Sequence, residues 1–371
     1  MSKAAELANL IGNINAGGGT SGRNLMVNGA MTVAQRGTSF PAAANGAYTI
    51  DQFRYAQSND GEITITQDSS APDGFAKSLK VDVTTADTSI AAGQYADIFG
   101  RIEAINLQIL KFGTSDAKNF TLSFYVKSNK TGTYAVVIGQ SDNSFKQATL
   151  TYTIDSADTW ERKSLTFTGD TAGVIDDNAD RGFEILWWLA AGSTYTGGSA
   201  TGAFATYADA NHAAGHAVNL LDSTSNEWFL TGVQLEVGQN ATEFEHEPFE
   251  KSLHKCKRYY QKLTDSYAQH GQICNGHMSV SSQFQGVIKF VPPMRAAPSL
   301  SHTTTSSNNT SSAYYVATGG SNDYVDALAF YVPNQVTTLI YTTSGSSATE
   351  GDGANLAIYN TITECAAVSE L

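Results

Sequence analysis

The sequence predicts a mainly β protein. A two-sheet sandwich or jelly roll covers residues 23–245, and one connecting helix follows at 246–263. A second, smaller β domain occupies 264–371, and a short helix with a glycine linker precedes them at 1–22. Three observations carry this reading. Short segments of alternating or β-branched and aromatic residues recur along the chain. Small polar turn clusters such as "SNKTG" and "APDG" separate them. Only two stretches have a helical period.

Composition agrees. Of 371 residues, 41% are hydrophobic and 10% aromatic, enough for a sizeable core, while only 15% are charged. Soluble domains usually carry about 25% charged residues, so Ser, Thr, Asn and Gln make up most of the polar surface here. The formal charge of -13 repels phosphate backbones and anionic membranes, which argues against nucleic-acid partners. No apolar run has membrane-spanning length, so no membrane insertion is expected. "MSKAAELANLIGNINAGGGTSG" lacks the apolar core and cleavage site of a signal peptide. Cys256, Cys274 and Cys365 are too few for a disulfide framework and read as small apolar residues.

Residues 3–15 place Leu7, Leu10, Ile11 and Ile14 on one helical face. A helix this short is marginal in water. It needs a copy of itself, a larger assembly or the next domain, unless it is a frayed terminus. Joined to a glycine linker at 15–22, it reads as an anchor.

The strands of the large domain are "EITITQD", "KSLKVDV", "NFTLSFYVK", "TYAVVIGQ", "QATLTYTI", "KSLTFTG", "FEILWWLA" and "EWFLTGVQLEVG". The helix at 246–263 begins near Pro248, carries Glu247 and Glu250 in its first turn and has basic residues toward its end. Phe249, Leu253, Cys256, Tyr260 and Leu263 repeat at 4, 3, 4, 3, a heptad seam. That seam suits packing on a sheet of the same chain or meeting copies of itself around a threefold axis. Beyond it, "QFQGVIKFV", "DALAFYV", "TTLIYTT" and "NLAIYNTI" return to β texture, and "SHTTTSSNNTSS" forms a long polar loop.

Residues with chemical potential are sparse. His212 and His216 have i,i+4 spacing but lack the glutamate of a zinc protease motif and lie among glycines. Asp176, Asp177 and Asp180 offer hard oxygen ligands for calcium, yet their spacing departs from the regular calcium loop and Asp-rich turns are common, so they read first as a solvated turn. Catalytic carboxylates cannot be picked out by spacing, and no cofactor motif occurs. Trp187 and Trp188 are adjacent in a strand and point to opposite faces: one into the core, the other free to serve as a platform for a sugar ring. Tyr195 and Tyr207 lie in the Gly-rich loop 190–216, which is long for a compact β domain and suits the same role, or ordinary surface packing.

"GRNLMVNGAMTVAQRGTSF", "YTIDQFRY", "GVQLEVGQNATEFEHEPFEKSLHKCKRYYQKL" and "PPMRAAPSL", in this order, resemble a family of tailed-phage tail fibre and virion structural proteins common in marine and cyanobacterial phages. The family form has Gln where this chain has Lys257 and an aromatic such as Trp where it has Phe53. The resemblance implies a jelly-roll β-sandwich like those of carbohydrate-binding modules, a homotrimeric fibre on the exterior of a phage particle, and no catalytic residues. Beside it, the short N-terminal anchor suits docking into another virion protein, and a surface rich in hydroxyls and amides suits host surface glycan as ligand. A structural head, neck or tail decoration and a polysaccharide-degrading tailspike are the alternatives.

Overall fold

The computed structural model describes residues 2–15, 22–264, 271–280, 283–302, 314–318, 321–325, 328–331, 333–342, 351, 353–358 and 365–371. They form two compact units, residues 1–252 with Leu371, and residues 253–370.

The first unit opens with α1 (Lys3–Asn15). Its strands are β1 (Ser39–Phe40), β2 (Phe53–Ser58), β3 (Glu62–Asp68), β4 (Ser78–Thr85), β5 (Tyr95–Glu103) and β6 (Phe120–Ser128). β7 (Gly132–Gln140), β8 (Lys146–Ile154), β9 (Glu161–Phe167), β10 (Arg181–Ala191) and β11 (Glu227–Val237) complete it. Two antiparallel sheets result, ordered β1-β3-β4-β11-β6-β9 and β2-β5-β10-β7-β8. This is a jelly-roll β-sandwich.

Alternation explains why the sheets face each other. Ile63 and Ile65 of β3, Leu79, Val81 and Val83 of β4, and Phe120, Leu122, Phe124 and Val126 of β6 are all buried, while their neighbours at odd offsets are more polar. Ile98, Val136, Ile138, Ile185 and Trp187 answer from the other sheet. Trp187 is fully buried, 6.0 Å from Phe124 and 6.3 Å from Phe53 between ring centroids.

α1 has the predicted extent, but its apolar face is not buried. Leu7, Ile11 and Ile14 are 57%, 47% and 36% exposed, and Leu10 is half-buried. Asn13 helps to hold the helix. Its amide donates to Glu236 Oε2 at 3.1 Å and to the Asn240 carbonyl at 2.7 Å. Of the predicted glycine linker, residues 16–21 lie outside the described residues.

The next element after β11 is the predicted connecting helix, and here the expectation needs correction. A helix spans only Phe249–Cys256, and Tyr260–Lys262 form a strand. Phe249 is 54% exposed, Leu253 and Leu263 are half-buried, and Cys256 and Tyr260 are buried. Tyr260 pairs with Val368 and Gln261 with Ala367. The heptad seam therefore stops at Cys256. A partner strand more than a hundred residues away claims the "YQK" segment, which no local period reveals.

In the second unit, Tyr260–Lys262, Cys365–Val368 and Ser299–His302 make a three-stranded sheet, and seven further strands between Gln272 and Ile358 make another. Met278, Phe284, Tyr314, Ile340 and Leu356 are its core. The polar loop singled out in the sequence falls, at 303–313, outside the described residues. Cys256 and Cys365 are buried and Cys274 is partly so. Among the described residues no helix is long and apolar enough to cross a membrane.

Candidate functional site

β5 and β10 pair so that Trp188 faces Asp97, Leu186 faces Phe99 and Glu184 faces Arg101. Side chains alternate, so Ile98 and Trp187 enter the core while Asp97, Phe99, Glu184, Leu186 and Trp188 point out of the sandwich. An outward face of this composition would ordinarily meet water. Here the segment after β10 folds back over it.

That segment carries two single-turn helices, α2 (Ser193–Thr196) and α3 (Asp209–His212). Backbone bonds fasten it: Gly192 N–H to Gln94 O, Thr194 N–H to Ala92 O, and Ala213 N–H to Tyr195 O. Two of its glycines are required by close approach. A Cβ on Gly192 would lie 2.0 Å from the Ala91 carbonyl oxygen, and one on Gly198 would lie 2.5 Å from that of Ala210.

Between this cover and the sheet lies an open cleft of about 240 Å³. Tyr95, Trp188, Tyr195, Tyr207 and His212 supply rings, and Asp97 and Glu184 supply carboxyls. The rings form one contiguous group. Trp188 lies 5.6 Å from Tyr195, 6.1 Å from Tyr95 and 5.1 Å from His212, and Tyr207 lies 5.4 Å from His212. Tyr207 is 41% exposed and donates its hydroxyl to Asp209 Oδ1 at 2.6 Å.

The carboxyls differ. Glu184 meets Arg181 at 2.7 Å and Arg101 at 3.3 Å. Asp97 is 1% exposed, and among the described residues its Oδ1 has no hydrogen-bond partner. Burial, and then the nearby charge of Glu184, push its pKa well above the ordinary carboxylate range. Among the described residues Trp188 Nε1 is buried without a partner as well, but so is Trp187 Nε1 in the core, so the weight falls on Asp97. His212 Nδ1 lies 2.8 Å from Gln147 Oε1, which can only accept, so Nδ1 carries the hydrogen. Burial lowers the pKa of His212 to about 4, leaving it neutral at pH 7.

Of the residues the sequence put forward as sugar platforms, Trp188, Tyr195 and Tyr207 line this one cleft and Trp187 does not. The expected exposed indole needs correction: Trp188 is 1% exposed, because the loop that carries the two tyrosines covers it. Tyr95, Asp97, Phe99 and Glu184 were not among the candidates. The signal for three of them was a period of two in "YADIFGRIE", with Tyr95, Asp97, Phe99 and Arg101 on one face and Ala96, Ile98 and Ile102 on the other.

The remaining candidates stay apart from the cleft. Asp176 and Asp180 accept through backbone carbonyls, from Gln108 Nε2 and Ala104 N–H, and Asp176 N–H donates to Asp142 Oδ2. Among the described residues no group of three or more His, Cys, Asp or Glu is placed to hold a metal ion. His216 accepts from Ala135 N–H through Nδ1 at 3.2 Å and does not share a ligand position with His212.

No family model and no curated protein sequence matches the chain. Solved structures show a distant likeness. A family 4 carbohydrate-binding module matches with 15% identity and a TM-score of 0.31, over 57% of this chain and 99% of that one. A family 11 carbohydrate-binding module of a Clostridium thermocellum cellulase matches with 12% identity and a TM-score of 0.29, over 56% and 98%. The enzymatically active domain of tailspike protein 4 of bacteriophage CBA120 matches with 13% identity and a TM-score of 0.30. It does so over 53% of this chain and only 21% of its own length. The jelly-roll assignment stands on strand order and register; likeness at these scores bears on nothing beyond the fold.

Proposed function

We propose that the chain binds a saccharide in the cleft between β5, β10 and the 192–216 loop. One observation carries this: contiguous aromatic rings surround a buried carboxyl whose Oδ1 has no partner among the described residues. A buried polar atom without a hydrogen bond costs about 1–3 kcal/mol. A ligand rich in hydroxyls supplies the bond, and the tyrosine and indole faces cover its apolar faces. The setting follows from the sequence resemblance: an appendage on the outside of a phage particle, a homotrimer, using the glycan to hold its host. Three or more weak sites acting together give useful avidity.

The test is binding of the folded protein to an array of host-type and plant-type glycans, followed by titration of the best ligand against Tyr195→Ala and Tyr207→Ala. Saturable binding weakened by both changes supports the reading. Undiminished binding by both variants moves the site elsewhere, and no binding by a folded protein removes the reading.

A second reading, a structural decoration docked into another virion protein, is favoured by the outward Leu7, Ile11 and Ile14 of α1. Deleting residues 1–20 should release the protein from particles; incorporation without them would sink that version. Hydrolysis is not part of this reading: Glu184, the second carboxyl of the cleft, is held by Arg101 and Arg181.

A further inference from the structure

We infer that the saccharide selected by this cleft carries a protonated amine, its ammonium seated against Asp97 and the flanking rings of Tyr95, Trp188 and Tyr195. The inference rests on the saccharide-binding reading and names the ligand class for the same site.

Three features of the cleft act in one direction. First, Asp97 is buried, and among the described residues its Oδ1 has no partner. The nearby basic side chains are engaged elsewhere. Arg101 pairs with Glu184, and Arg54 donates to the Gly46 carbonyl and lies over the rings of Tyr48 and Phe99. A hydroxyl would satisfy the carboxyl's hydrogen bond. An ammonium would do that and also offset its desolvation and its repulsion from Glu184.

Second, ring faces attract cations through their quadrupole, and Tyr95, Trp188 and Tyr195 stand within 5.6–6.1 Å of one another beside that carboxyl. Third, among the described residues no charged basic group lines the cleft; His212, the one titratable nitrogen base there, is neutral at pH 7. None of these lining side chains repels a cation, and none is offered to the carboxylate of an acidic sugar. The net charge of -13 steers in the same sense.

The decisive experiment is calorimetric titration of the full chain with three oligosaccharides of equal length: an oligomer of glucosamine, the same oligomer N-acetylated, and an oligomer of a uronic acid. Near-neutral buffer keeps much of the amine charged and avoids the acid that would protonate Asp97, whose pKa burial raises. The expected result is binding of the glucosamine oligomer at least about tenfold tighter than its N-acetylated form, with the uronate weakest. Asp97→Asn should bring the first two within about twofold of each other, and Tyr195→Ala, which leaves all charges in place, should weaken the glucosamine oligomer about tenfold. Equal or tighter binding of the N-acetylated oligomer, or comparable binding of the uronate, overturns the amine inference and leaves the saccharide reading intact. A preference for the amine that survives in both variants assigns it to the overall negative charge and overturns the inference as well. Failure of every oligomer, together with every glycan on the array, overturns both. If Asp97→Asn does not fold, Tyr195→Ala and the three-ligand comparison on the unaltered chain still decide.

Discussion

Trp187 and Trp188 are consecutive on one strand, and both are buried, but the places they occupy differ in kind. Trp187 lies in the inter-sheet core, packed on Phe53 and Phe124 among aliphatic residues contributed by both sheets. Trp188 lies under a loop, packed on Tyr95, Tyr195 and His212, beside a carboxyl that is costly to bury. Burial alone does not separate a structural residue from a ligand-contacting one. The chemistry of the neighbours does, and so does the nature of the cover: a whole sheet in one case, a glycine-dependent loop in the other.

The comparison breaks most visibly at the core. Trp187→Ala should cost about 3–5 kcal/mol, read as a fall in the denaturant midpoint, because a closed interior cannot collapse around so large a cavity. Tyr207→Ala, on the cover, should shift the midpoint little while weakening ligand. If the two variants lose stability equally, the cover is core and the distinction fails.

Acid sharpens the same contrast. Burial lowers the pKa of His212 and His216 from 6.5 to about 4. The unfolded chain therefore takes up these protons first, and stability must fall as pH drops from about 6.5 toward 4. The loss is up to roughly 3 kcal/mol for each histidine. Both lie in or beside the loop cover, so His216→Asn should flatten that part of the stability profile. A slope unchanged by the substitution would assign the acid sensitivity to other groups.

Asp97 has the opposite sign. Its folded pKa is raised, so the carboxyl weakens the fold at pH values above that pKa, and the penalty disappears as pH falls toward 3.8, the ordinary aspartate value. Asp97→Asn should be more stable than the parent at neutral pH by about 1–2 kcal/mol, with the advantage vanishing near pH 4. A destabilised variant at neutral pH would mean that the carboxylate has a partner which the present arrangement does not reveal.

The smallest effect is expected on α1. Replacing Leu7, Ile11 and Ile14 together by Ser should change stability by no more than about 0.5 kcal/mol, since these side chains are exposed. Asn13→Ala should loosen the helix, seen as faster amide exchange along it, because that amide bonds Glu236 and Asn240.

Much of the sandwich was legible. Strands such as β3, "EITITQD", alternate so plainly that the bounds agree with the structure. β5 was not anticipated, and the reason is physical. Asp97, Arg101 and Glu103 interrupt a strand pattern because the outward face of this strand is partly buried by a loop from elsewhere in the chain. Local rules fail most often where a site departs from them, and β5 is the strand that carries Asp97. The helix at 246–263 erred in the other direction. Its heptad arithmetic is correct as arithmetic, but Tyr260 has high β propensity and finds an edge at Val368, outside any local window. Tyr195 and Tyr207 were legible because a long Gly-rich loop with aromatics is unusual; their meeting with Trp188 was not, since it depends on how Gly192 and Gly198 let that loop turn back.

The fastening of that loop has a consequence for its motion. Its amides are tied to the body of the sandwich at Gly192, Thr194, Gly202 and Ala205, and to each other at Gly198 and Ala213, by separate bonds and one isolated bridge rather than by a continuous ladder. A ligand resting on Trp188 would lean on the underside of the same loop through Tyr195 and Tyr207. Occupancy should then be recorded far from any direct contact, as slowed deuterium uptake at Gly198 and Ala213, so the loop's own backbone would serve as a clock for how long the ligand stays.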